Sequence, residues 1–211
     1  MPEMPVSLDN WTIFLFSLRW LHFIFGITWI GLLYFFNFVN GPFVKTMDAE
    51  TKKKVVPQLM PRALWWFRWG AMITFVSGWL YIGTKQHLNG GGFIGDSGLL
   101  STTWGQWITW GAAMGSIMWF NVWFIIWPAQ KKLITWTKKG EAPPEMAGLT
   151  KKAFLASRFN TYLSVPMLFC MAAASHLPAF NLVYVFVAIT IGIVLVWHLI
   201  NKVAGKVGAN F

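Results

Sequence analysis

Arg19 and His22 stand three residues apart in a stretch, Trp11 to Phe38, that is otherwise apolar almost throughout. At helical spacing the two side chains share a face. An ionisable group inside a membrane span is costly to place, so it points to a function and a partner. A second histidine, His176, closes another apolar stretch that opens near Phe159, and its depth from the membrane edge matches that of His22. Two neutral imidazoles on facing helices at one depth are the arrangement that holds a b-type haem in a helical bundle. Arg19, at the outer boundary, suits a haem propionate, a carboxylate that must be neutralised there. His87 lies on the same outer side and is the substitute ligand, whereas His198 sits at the far end of the last stretch. The same residues also read as hydrogen-bonding groups within a bundle, with Arg19 snorkelling outward. Taken alone, they leave both readings open.

The elements that must position these groups are membrane spans, each needing about 20 apolar residues. Five stretches qualify, at residues 11–38, 63–81, 104–127, 159–177 and 180–200. Asn40-Gly41-Pro42 predicts the end of the first helix and Pro128 the end of the third, while Pro61 opens the second and Pro166 predicts a kink in the fourth. The segments after the first and third helices carry Lys45, Lys52, Lys53, Lys54, Arg62, Lys131, Lys132, Lys138, Lys139, Lys151, Lys152 and Arg158, against a single outer cation, Lys85. By the positive-inside rule the N-terminus is outside and the C-terminus cytosolic. The expected fold is therefore all-α, an integral membrane bundle of five transmembrane helices forming one domain over residues 1–211.

Composition supports this class and excludes others. The 211 residues are 56% hydrophobic and only 11% charged, and the mean hydropathy is +0.52. The formal charge of +10 would suggest nucleic acid in a soluble protein. Here the cations lie between spans, so topology explains them and no nucleic-acid partner is expected; attraction to anionic membrane lipid is. One cysteine, Cys170, rules out an internal disulfide and a Cys-x-x-Cys-His attachment of c-type haem. The N-terminal ten residues are acidic and lack the basic start of a cleaved signal. No Ser-His-Asp set, zinc spacing or intramembrane carboxylate appears, so hydrolysis and an acidic proton path have no support. The glycine-rich outer loop around Asn89-Gly90-Gly91-Gly92 reads as a turn, not a phosphate loop.

The inner half carries Arg68, Asn121, Asn37 and Asn160. They suit either the lining of a small-molecule or quinone pocket or hydrogen-bond glue between helices. The asparagines favour the second reading, and Arg68 is balanced between the two.

Long strings then resemble the membrane domain of the bacterial cytochrome-c-linked urate oxidases. They are Arg19-Trp-Leu-His22 with Gly26-Ile-Thr-Trp-Ile-Gly-Leu-Leu-Tyr-Phe-Phe-Asn, Pro61-Arg-Ala-Leu-Trp-Trp-Phe-Arg-Trp-Gly, Met118-Trp-Phe-Asn-Val-Trp-Phe-Ile-Ile-Trp-Pro and Ala156-Ser-Arg-Phe-Asn-Thr-Tyr-Leu-Ser-Val-Pro, ending at Ser175-His176. A histidine followed by Gly-x-x-Trp in the first helix is also distantly similar to the membrane protoporphyrinogen oxidases. The resemblance implies a membrane redox protein of a bacterial cytoplasmic membrane, with haem b on His22 and His176, passing electrons toward cytochrome c on the outer face. The chain ends at Phe211 without the family's cytochrome domain, so the expected acceptor is a separate partner. The competing expectation is a non-catalytic subunit packed by its aromatic faces into a larger respiratory or photosynthetic complex. A urate-oxidising enzyme is the third.

Overall fold

The computed structural model describes residues 9–207, and among them every regular element is helical. Five rods follow in order: α1, Asn10–Thr46; α2, Ala49–Leu88; α3, Thr103–Lys139; α4, Met146–His176; and α5, Leu182–Val203. Side-chain caps start four of them. Asp9 accepts from the Thr12 N–H, Asp48 from Thr51, Thr102 from Gly105 and Asn181 from Val183. Three rods, α1, α3 and α5, are long and apolar enough to cross a membrane. This is a membrane protein, and α2 and α4 interrupt their apolar runs with Arg68 and with Arg158 and Asn160.

Two expected helix ends are absent. The first rod runs through Asn40-Gly41-Pro42 to Thr46 and the third through Pro128 to Lys139. In each case a π-helical segment, Phe35–Asn40 or Asn121–Ile126, comes just before the proline. The Gly41 and Trp127 N–H groups reach back five residues, to the carbonyls of Phe36 and Val122. The widened turn gives the proline ring room where a regular turn would press it against a carbonyl. The basic stretches expected as loops are largely helical as well: only residues 47–48 separate α1 from α2, and only 140–145 separate α3 from α4.

α1 packs along α2, α3 along α4, and α5 lies on the outside of α4. A Cβ at Gly70 of α2 would sit 3.3 Å from the Phe25 carbonyl oxygen and the Trp29 nitrogen of α1, so the two backbones approach as only a small residue permits. The core joins Trp29, Leu33, Leu64, Phe67, Trp107, Met118, Val122, Met167 and Cys170. The opposite faces of α1 and α5 present Phe16, Phe23, Ile27, Val183, Phe186 and Val194 outward, an apolar girdle suited to lipid.

Candidate functional site

His22 is half-buried, and its Nδ1 lies 2.8 Å from the Thr74 carbonyl of α2. A carbonyl only accepts, so Nδ1 carries a proton, and in the neutral imidazole Nε2 keeps its lone pair. The ring rests on Gly78: a Cβ there would meet His22 Cε1 and Nδ1 at 2.9 Å. His176, exposed on the last turn of α4, repeats the pattern, with Nδ1 2.8 Å from the Ala172 carbonyl one turn back. Each imidazole thus bonds to backbone and neither to the other. Orienting one nitrogen on a carbonyl and freeing the other is how a histidine is prepared as a metal ligand. The one bond between α1 and α4 nearest to both, Tyr34 Oη to Ser164 Oγ at 2.9 Å, gives their levels. Tyr34 follows His22 by twelve residues and Ser164 precedes His176 by twelve, on antiparallel rods.

Arg19 is exposed and donates to the Tyr81 hydroxyl, with its guanidinium carbon 4.9 Å from the centre of the same ring. Tyr81 meets Trp104 edge-on at 6.5 Å, and Lys85 Nζ stands 3.9 Å over the Trp104 ring. A cavity of about 330 Å³ opens here, lined by Lys85, Gln86, Asn89, Asp96, Ser97 and Trp104 among others. Burial pushes the Lys85 ammonium below its usual range, and the Arg19 charge pushes the same way. His87 is exposed on the final turn of α2, just beyond this cluster. Sequence reasoning missed the cluster. Its signal was Lys85 itself, the single cation expected on that side.

At the other end the asparagines bond across helices. Asn37 Nδ2 donates to the Leu33 carbonyl and to Ser157 Oγ, both at 2.9 Å. Asn121 donates to Asn160 Oδ1 at 2.8 Å, and Asn160 donates to the Met118 carbonyl at 2.9 Å. These groups are satisfied by one another, as glue requires. His198 is exposed at the end of the α-helical part of α5, away from the other three histidines. Among the described residues no three of His, Cys, Asp and Glu gather to hold a metal ion. Imidazole is a ligand type that suits haem iron.

The chain matches the family described as urate oxidase N-terminal over residues 98–206. That range takes in α3, α4 and α5, with His176 inside it and Arg19, His22 and His87 outside. No curated protein and no solved structure matches the chain.

Proposed function

Because the chain belongs to the urate oxidase N-terminal family, we propose that it is a membrane redox component of a bacterial cytoplasmic membrane, passing electrons toward a cytochrome c on the outer face. In this reading all five rods cross the bilayer, the N-terminus lies outside and the C-terminus in the cytosol, as the cation distribution favours. His22 and His176 would hold a haem b, which when bound would supply one-electron transfer. The observation that carries the reading is the shared state of the two imidazoles, each with Nδ1 on a backbone carbonyl and Nε2 free. Arg19 retains donors beyond the one given to Tyr81 and serves a propionate, and His87 substitutes for a lost ligand.

The test is a dithionite-reduced minus oxidised visible spectrum of the detergent-purified protein, with pyridine haemochrome identification. A b-type signal is expected, and His22→Ala or His176→Ala should abolish or shift it. Unchanged spectra in both variants would remove the ligand assignment. Folded protein made with haem available, yet free of it, would overturn the redox reading and favour a structural subunit.

A further inference from the structure

Arg68 occupies the half of α2 nearer the basic end, six residues past Arg62, or roughly 9 Å along the helix. It has no carboxylate partner: the ion pairs among the described residues are Lys53–Glu50 and Lys139–Glu141. Indoles take the place of a counter-charge. The guanidinium carbon lies 4.0 Å from the Trp127 ring centre, 5.2 Å from Trp123 and 5.6 Å from Trp69. Rings over a guanidinium engage its faces and leave the N–H donors in its plane unserved. Arg68 Nε is buried without an acceptor, and the indole N–H of Trp123, whose ring lies over the guanidinium, is in the same condition. Both unserved atoms are donors, so the missing partner is an acceptor.

That partner is negative and comes from the bilayer. A neutral carbonyl would accept a hydrogen bond but leave the charge uncompensated in a low-dielectric layer. The flank of α2 beside Arg68 shows Trp65 and Trp66 outward, 48% and 54% exposed, and Trp69, which meets Trp123 of α3 edge-on at 5.6 Å, is still 38% exposed, so the groove between the two rods opens to lipid here. Side chains on a helix lean toward its N-terminus, which for α2 is the basic end. Trp127, the nearest ring, is also the farthest toward that end of the three. The cations of residues 45–62 and 131–158 at this end concentrate anionic headgroups. We propose that Arg68, caged by Trp69, Trp123 and Trp127, binds the phosphodiester of an anionic phospholipid from the leaflet at the basic end. The planar fork of the guanidinium grips two phosphate oxygens at once.

Native mass spectrometry of the full chain in detergent, with phosphatidylglycerol, phosphatidylcholine or inorganic phosphate added separately, tests this. The wild type should retain one phosphatidylglycerol with about tenfold preference over phosphatidylcholine, whose choline cation offsets the charge on the same phosphodiester. Arg68→Gln should erase the preference, and Arg68→Lys, which keeps the charge without the fork, should weaken it. Lys132→Gln, an exposed cation at the same end, should leave it intact. Equal retention by wild type and Arg68→Gln would overturn the site. Equal loss in Lys132→Gln would reduce it to general surface charge. Displacement by inorganic phosphate would mean a free-anion site, and retention of a quinone in place of the lipid would mean a redox pocket; either overturns the lipid assignment. If Arg68→Gln does not fold by circular dichroism, Trp127→Phe, which removes the larger ring and keeps the arginine, replaces it and should weaken retention.

Discussion

At the scale of single residues, His22 depends on the absence of an atom. Its ring fills the space that a Cβ at Gly78 would need, and its bond to Thr74 leaves it little freedom to move aside. Gly78→Ala should therefore lower stability: the clash costs about 1–3 kcal/mol, more than the ~1 kcal/mol that alanine gains over glycine in a helix. Gly83, on the same helix with open space around it, should respond in the opposite sense, with Gly83→Ala gaining up to ~1 kcal/mol. Denaturation midpoints in detergent compare the two. In the double variant Gly78→Ala, His22→Ala the penalty at position 78 should disappear, because the ring it struck is gone. Lys85 makes a pH-dependent prediction. Its ammonium is held below the ordinary value of 10.5 in the fold, first by burial and then by Arg19. The charged form is thus disfavoured on folding, in full near neutral pH, and the penalty fades as pH rises through the folded value toward 10.5. Between pH 7 and 10 the stability of the wild type should rise relative to Lys85→Gln; a constant difference would deny the shift.

Among the elements, α4 is the clasp. Ser157, Asn160, Thr161 and Ser164 fall at i, i+3, i+4 and i+7, one polar stripe, and the last three are fully buried. From that stripe Ser157 takes Asn37 of α1, Ser164 bonds Tyr34 of α1, and Asn160 holds Asn121 and the Met118 carbonyl of α3. Asn37 lies in one π-helical segment, Asn121 opens the other, and Met118 lies just ahead of it. Asn160→Leu should cost about 1–3 kcal/mol, because it leaves the Asn121 amide unpaired in the core. A loss much below that in an SDS-unfolding titration would mean the two rods are joined mainly by apolar packing. The role of Asn37, Asn121 and Asn160 as glue was legible in the sequence. The continuation of α1 and α3 past their prolines was not. Pro42 and Pro128 carry a strong local signal for termination, and what overrides it is a change of hydrogen-bond register stabilised from another helix. The Arg19–Tyr81–Trp104–Lys85 cluster was illegible for a related reason. It joins residues 62 and 23 positions apart, and only the packing of α2 against α1 and α3 decides that they meet.

For the molecule as a whole, charge and helix length tell one story. α2 has 40 residues, about 60 Å at 1.5 Å each, against roughly 30 Å of hydrocarbon. The surplus of α1 to α4 falls at the basic end, where residues 39–62 and 128–158 hold all the inner cations named above. The orientation we propose is testable with one cysteine at a time, since Cys170 is fully buried and can be replaced by alanine. In intact cells stripped of their wall, Ser97→Cys should react with a membrane-impermeant maleimide, and Thr135→Cys only after permeabilisation. The reverse pattern would invert the topology.

A bundle with its bulk and charge at one end is also a one-way plug. Added to preformed vesicles, it can push its lighter end through the bilayer, but twelve lysines and arginines riding on helical stalks face a steep toll at the hydrocarbon. Proteoliposomes made this way should carry the protein in a single direction, stalks facing the bulk solution. Any traffic of electrons measured across them would then be vectorial without sorting the vesicles.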